Sequence, residues 1–260
     1  MSSALLSRAG LGLAALGLAV LFTPPVQALD KPAPGAFPHE MFNTVLQKYV
    51  DTKGLVDYKG ISLDRATLDS YVAYVALVSP AEHPDVFPAL GDKLAYYINA
   101  YNALAITGVI DRPGLISVQD SKLGFFLGTK YKLGGDKMNL YNLENQAIRP
   151  TFNDPRLHFA LNCQSGGCPR LPQTAYMPAT VDAELTAGSK EFCTSPTKVY
   201  ADSAGVWHIS QIFEWYKGDF EAAGGAVAFI NANGGTIPET AKVETIPYDW
   251  SLSTQVGKGP

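Results

Sequence analysis

The chain has 260 residues, 47% of them hydrophobic and 17% charged, with a formal net charge of −4. That composition fits an ordinary globular protein with a sizeable core, folded as one large domain or two small ones. The mildly acidic balance argues against nucleic acid as a main partner. Residues 1–28 read as a secretory signal peptide: Arg8 precedes an uncharged apolar run from Leu11 to Leu21, and Val26-Gln27-Ala28 has the small-x-small character of a cleavage site. A run of about a dozen residues is short for a bilayer, which needs about 20. Cleavage is therefore favoured over an anchor, with no stable membrane insertion afterwards. No cysteine follows the run closely, so a lipoprotein anchor is not supported. Cleavage removes Arg8 and no acid, leaving a net charge of −5. The expected location is periplasmic or secreted, where disulfides persist.

Residues 29–38, rich in Pro and Ala, read as an exposed leader, and one domain is expected over 39–260. His39 to Val50 has amphipathic helical spacing, with Met41, Val45 and Tyr49 on one side and Phe42 and Leu46 beside them. Ser62-Leu63-Asp64 reads as the start of a second helix, running to Ser79-Pro80. Gly91 to Val109 is apolar nearly all round and suits a helix buried in the core. On it Asn99 and Asn102 share a face. They either line a site or cross-link the core internally, because a buried amide without partners costs about 1–3 kcal/mol.

Thr129 to Tyr141 carries a hairpin signal at Gly134-Gly135-Asp136. Asn142 to Arg149 should form a short helix stopped by Pro150. Further helices are expected at Val181 to Phe192, after Ser210 through Tyr216, and at Ala226 to Asn233. A second hairpin is expected around Asp202 to Gly205. Trp215 and Tyr216 read as core anchors, and Tyr248 and Trp250 make the tail too aromatic to be merely solvated.

The stretch Asp154 to Leu171 holds most of the chemistry, with His158, Cys163, Ser165, Gly166-Gly167 and Cys168 close together. As a strand, His158 to Asn162 would place His158, Ala160 and Asn162 on one face. The fold class expected is α+β, a single domain with a helix-rich first half and a small antiparallel sheet that carries this stretch.

Several segments together resemble the DUF547 family, a domain of unassigned function found in bacteria, plants and animals. They are Tyr97-Ile98-Asn99-Ala100-Tyr101-Asn102, Leu143-Glu144-Asn145-Gln146-Ala147-Ile148-Arg149 and His158 to Cys163 with Ser165 and Cys168-Pro169. Towards the end come Ile212-Phe213-Glu214-Trp215-Tyr216 through Asp219-Phe220, then Pro247 to Leu252. The resemblance spans nearly all of the mature chain. It implies that Asn99, Tyr101, Asn102, Glu144, Arg149, His158, Cys163, Ser165 and Cys168 are pattern residues. Some animal members look like fusions to a glutaredoxin domain, which leans towards thiol chemistry. His39, His83, His208 and Cys193 match no motif of the family.

A cysteine nucleophile needs a base, and the base needs an orienting acceptor. The leading expectation is an exported thiol-dependent enzyme, a cysteine hydrolase or acyl transferase. Cys168 attacks, His158 shuttles the proton, Glu144 orients it and Cys163 lies alongside. Pro169 would start a helical turn that lowers the Cys168 pKa, and the N–H groups of Gly166, Gly167 and Cys168 would form an oxyanion pocket. Asn99, Asn102, Arg149 and Ser165 are candidate ligand-binding residues, with Arg149 otherwise paired to Asp154 or Glu144. Two alternatives stand beside this. One is a redox pair of Cys163 and Cys168, or of one of them with Cys193. The other is a ligand-binding or scaffold domain with a structural disulfide. No cofactor is expected, and zinc at His158, Cys163 and Cys168 lacks the usual ligand spacing. The partner expected is a small molecule or a peptide.

Overall fold

The structure is a computed structural model that describes residues 29–260; residues 1–28, where a signal peptide is expected, lie outside the described residues. Four helices build the first half: α1 (His39–Tyr49), α2 (Tyr58–Leu63), α3 (Ala66–Leu77) and α4 (Leu90–Ile110). The amphipathic spacing of α1 buries Phe42, Val45, Leu46 and Tyr49. Helix α4 is buried on every side from Leu94 to Ile110, as its unbroken apolar sequence predicts. The core begins earlier than the leader suggests, since Phe37 packs against Tyr71, Phe87 and Tyr96.

Ser62 and Asp64 close α2 rather than open α3. Asp57 is the cap that wins, its carboxylate accepting the Gly60 N–H at 2.7 Å. The Asp64 carboxylate is instead engaged by Lys48 Nζ and the Tyr49 hydroxyl.

Strands β1 (Tyr131–Leu133) and β2 (Asp136–Met138) form the expected hairpin, with Gly134 and Gly135 both at positive φ in the two-residue turn. A continuous helical segment follows: α5 (Leu140–Asn142), a π-helical turn over Leu143–Ile148, and α6 (Arg149–Phe152). Pro150 does not stop it. The π-turn ends at Ile148, so the proline ring falls in the first turn of α6, where a missing N–H costs nothing.

Helix α7 (Val181–Cys193) leads to the second half. There β3 (Val199–Ala201), β4 (Trp207–Ser210) and β5 (Val243–Ile246) make a three-stranded sheet, antiparallel between β3 and β4 and parallel between β4 and β5. Three short helices, α8 (Ile212–Trp215), α9 (Lys217–Phe220) and α10 (Ala226–Ala232), pack around it. The whole is one α+β domain with its long helices in the first half. No helix among the described residues is long and apolar enough to cross a membrane.

Two apolar clusters make up the interior. The larger gathers the first-half helices, and the smaller joins Phe159, Phe192, Phe213, Phe220 and Phe229 to the second half. The Asp154–Leu171 stretch runs along the seam, with Leu157, Ala160 and Leu161 in the larger cluster and Phe159 in the smaller.

The stretch is not a strand, and no sheet carries it. Residues Pro155–Phe159 form a 3-10 turn, and one isolated bridge, Ser165 to Leu252, is its link to extended chain. The reason is local: Pro155 fixes φ, and the Asp154 carboxylate accepts the Arg156 N–H at 2.9 Å, which bends the chain at once. The carbonyl of Ala160 and the N–H of Asn162, which a ladder would use, are both taken by the Asn102 side chain.

Candidate functional site

Glu144 and His158 are placed by local irregularities of backbone. The π-turn at Leu143–Ile148 carries Glu144 inward, and such turns often mark functional positions. The Glu144 carboxylate accepts from the buried Tyr101 hydroxyl at 3.2 Å and from the Tyr216 hydroxyl at 2.6 Å. Arg149, one turn on, grips Asp219 with Nε at 2.7 Å and Nη2 at 2.8 Å, and Nη1 donates to Asn145. His158, on the 3-10 turn, meets the same Asp219 carboxylate through Nε2 at 2.7 Å. Its ring stacks on Tyr216 with centroids 3.9 Å apart. Hydrogen bonds from His158 and then Arg149 hold the Asp219 carboxyl well below the usual carboxylate range, against the opposing effect of burial. Burial and the facing Glu144 carboxylate push the Tyr216 hydroxyl pKa up.

Cys163 and Cys168 are joined by a disulfide, and Cys193 is free. Cys193 is buried away from them, its pKa pushed up to about 12 by desolvation, so it is a poor nucleophile. Cys168 is 6% exposed and Cys163 more so. The Cys163 N–H donates to Cys168 Sγ at 3.0 Å, and the Tyr248 hydroxyl donates to the same sulfur at 3.3 Å. Tyr248 Oη also lies 3.4 Å from Cys163 Sγ. Ser165 Oγ sits beneath the pair, 3.1 Å from Cys163 Sγ and 3.4 Å from Cys168 Sγ, and donates to Tyr248.

The disulfide loop is clamped by the chain's last segment. Gly166 N–H donates to Ser251 O at 2.8 Å, Gly167 N–H to Asp249 O at 2.7 Å and Cys168 N–H to Ser165 O at 3.0 Å. These are the three groups expected to form an oxyanion pocket, and all are used in holding the loop. No helix begins at Pro169 either, so the Cys168 sulfur does not sit at a helix end. The two glycines are needed for close approach: a Cβ on Gly166 would strike the Asp249 carboxylate, and one on Gly167 the Tyr248 ring. Gln164 bears a left-handed φ of 68°, a costly conformation for a residue with a side chain. It is held there by the Tyr58 hydroxyl at 2.8 Å and by Asn162.

Glu144, Arg149, His158, Cys163 and Cys168 line one cleft of about 560 Å³, together with Tyr101, Tyr216, Tyr248, Trp215 and Trp250. Asn99, Asn102 and Ser165 do not line it. Asn99 exchanges two bonds with the Tyr176 backbone, at 2.7 and 3.0 Å, and a third with His39 Nδ1. Asn102 is likewise spent on Ala160 and Asn162. Both amides are therefore internal cross-links. Glu144 does not orient His158: Asp219 does, and Asp219 is also the partner of Arg149, while Asp154 pairs with Arg156. Trp215 is 46% exposed at the cleft mouth, not a core anchor.

Sequence reasoning missed Asp219, Tyr216 and Tyr248 as site residues. The available signal was the run Trp215 to Phe220, whose one carboxylate among three aromatics stands within the resemblance, as does Tyr248 in the segment Pro247 to Leu252. Among the described residues no group of three or more His, Cys, Asp or Glu side chains is placed to hold a metal ion.

The molecule is thus an α+β domain with a disulfide on the wall of a cleft that also holds a His–Asp–Arg chain. The family model described as Protein of unknown function, DUF547, matches residues 90–193, and this segment carries the DUF547 pattern. The match takes in the motifs of α4, of the π-turn and of the disulfide loop. It stops short of Tyr216, Asp219 and Tyr248, so the partners that complete the cleft come from outside it. No curated protein and no solved structure matches the chain.

Proposed function

We propose that the cleft is the active site of an exported thiol-dependent enzyme that works by thiol–disulfide exchange, with Cys163 and Cys168 as the reacting pair. The observation that carries the reading is the disulfide on the cleft wall with two hydrogen-bond donors, the Cys163 N–H and the Tyr248 hydroxyl, aimed at the Cys168 sulfur. A disulfide serving as a staple alone has no need of a cleft or of donors aimed at sulfur. Such donors favour the thiolate, and a thiol of lower pKa leaves faster in exchange.

A substrate thiolate attacks Sγ of Cys163, the more exposed of the two residues. The Cys163–Cys168 bond breaks, and its electron pair goes to Cys168 Sγ, which the Cys163 N–H and the Tyr248 hydroxyl stabilise. A second substrate thiolate then attacks the substrate sulfur of the mixed disulfide and releases Cys163. Two substrate thiols become one disulfide, and the protein becomes the dithiol with the two protons they gave up. The reverse sequence, with a disulfide as oxidant, restores the pair. Export, read from residues 1–28, would place this chemistry in a compartment that holds disulfides oxidised.

The test is equilibration of the native protein in thiol–disulfide buffers, with the dithiol trapped by alkylation and counted by mass. The expected result is reversible reduction with the fold retained, at a midpoint above the roughly −300 mV below which structural disulfides lie. Failure to reduce short of unfolding would sink the reading and leave a structural staple. A second reading, acyl transfer by the reduced Cys163 or Cys168, is favoured by the His158–Asp219 pair in the same cleft. It predicts stoichiometric acylation of the reduced enzyme by activated esters, lost in His158→Gln.

A further inference from the structure

The cleft has a polar floor and an apolar mouth. On the floor the charged groups already have hydrogen-bond partners: Arg149 and His158 share Asp219, and Glu144 is held by two tyrosine hydroxyls. At the mouth, four large apolar side chains stand in water: Leu123 is 75% exposed, Tyr141 50%, Trp215 46% and Leu127 43%. The neighbouring cleft of about 630 Å³, which shares Cys168 and Pro169, has none of these side chains in its lining. Leu123 and Leu127 project from a π-helical turn, Leu123–Gly128, that buries Phe125 and leaves its leucines outward. Exposed apolar groups gathered at one concave place signal an apolar ligand. Beside them Lys122 makes no ion pair among the described residues, and its ammonium rests 4.7 Å from the centre of the Trp250 ring. It is a cation without a carboxylate, at the rim of an apolar mouth.

We infer that the substrate of this cleft is an aliphatic thiol acid: a free small molecule with a thiol at one end, a hydrocarbon body, and a carboxylate at the other. The thiol reaches Cys163, the body lies between the leucines and the tryptophans, and the carboxylate pairs with Lys122. The inference rests on the thiol-exchange reading for the reaction itself: two such thiols give up two electrons and two protons to the Cys163–Cys168 disulfide and leave as the substrate disulfide. It adds the substrate class, and it is separable from that reading because binding of the body and carboxylate needs no sulfur.

Binding is therefore measured with hexanoate, octanoate and decanoate on the full chain carrying Cys163→Ser and Cys168→Ser, by calorimetry and by the fluorescence of Trp215 and Trp250. Each added methylene should tighten binding about fourfold until the mouth is filled. Leu123→Asp should weaken decanoate by tenfold or more. Lys122→Ala should erase the preference for decanoate over decanol. With the unsubstituted protein, 8-mercaptooctanoate should be oxidised at least tenfold faster than 2-mercaptoethanol at equal concentration. A flat alkanoate series overturns the inference, as does Leu123→Asp without effect, even if exchange with 2-mercaptoethanol proceeds. Sedimentation with phosphatidylglycerol vesicles, lost in Leu123→Asp and unaccompanied by saturable decanoate binding, would assign the mouth to a membrane surface and overturn it too. Loss of exchange with every thiol, while the alkanoate series keeps its slope, sinks the thiol reading, overturns the thiol end of the substrate and leaves an alkyl carboxylate as the ligand.

Discussion

Two groups of polar side chains lie within the domain, and they are used in opposite ways. In the helical half, Asn99, Asn102 and His39 are fastened chiefly to backbone: Asn99 to Tyr176, Asn102 to Ala160 and Asn162, with His39 held on Asn99. At the seam, Arg149 and His158 are fastened to Asp219 and Glu144 to Tyr216, and Tyr248 to Ser165 and the disulfide, at the wall of a cavity that all of them but Asp219 and Ser165 line. A side chain bonded to backbone sets the path of a loop and has nothing left to offer a ligand. One bonded to other side chains at a cavity wall can exchange partners when a ligand enters.

If the division is real, changes in the two groups separate stability from chemistry. The largest effect is expected for Cys168→Ser, which abolishes thiol exchange while lowering stability by about 2 kcal/mol, the entropy of closing so short a loop. Exchange assays and urea unfolding on one preparation check both. Persistent exchange in this variant would break the comparison outright.

Next comes acid. Burial lowers the His39 pKa to about 4, whereas the unfolded chain binds that proton near 6.5. The unfolded state then holds more protons between these values, so stability falls as pH drops from 6.5 to 4, by about 3 kcal/mol. Urea midpoints at pH 7 and pH 4 should show the loss, and His39→Gln should flatten it. A similar magnitude is expected for Asn99→Ala, which strands the N–H and carbonyl of Tyr176: about 3 kcal/mol of stability, with exchange per folded molecule unchanged. Circular dichroism melts paired with the exchange assay test that separation.

Asp219→Ala should cost about 2 kcal/mol, the worth of charge-assisted hydrogen bonds at a partly exposed site, and should also slow acylation of the reduced enzyme by activated esters, because His158 loses its anchor. With its carboxyl held below the usual range, Asp219 contributes this stability above the unfolded value near 4 and loses it as pH falls through the lower folded value. The increment between wild type and variant should therefore persist from pH 7 to pH 4 and vanish only in stronger acid. Smallest is Tyr248→Phe. Removing a donor from the sulfur should raise the pKa of the reduced Cys168, because its thiolate loses a hydrogen bond, read from the pH dependence of iodoacetamide alkylation, with stability nearly constant.

The amide pair shows how far sequence alone reaches. The spacing of Asn99 and Asn102 puts both on one face of a buried helix, and the helix is there. Whether that face meets a cavity or a loop is decided by chain some sixty to eighty residues away, which no local pattern encodes. The disulfide loop was legible as the chemical centre because it concentrates Cys163, Ser165, the glycines and Cys168. Its oxyanion role was not, because the Gly166 and Gly167 N–H groups are spent on Ser251 and Asp249, far along the chain, and that of Cys168 on Ser165. From the sequence Glu144 reads as the orienting acid, whereas the carboxylate that meets His158 is Asp219. A hydrogen bond across 61 residues leaves no period to find.

What the sequence by itself determined are the features set by local chemistry: the α+β class, the amphipathic α1, the all-round apolar α4, both hairpins with their turn residues, and a thiol loop shared with one family. These follow from side-chain periodicity and φ preferences, which act over a few residues. The tertiary structure alone decided the pairing of Cys163 with Cys168, the partner of His158, the work of Gly166 and Gly167, and the choice between Asn99 as ligand and Asn99 as brace. Each of those depends on which distant segment arrives alongside, and that is fixed by how two apolar clusters close on the seam between them.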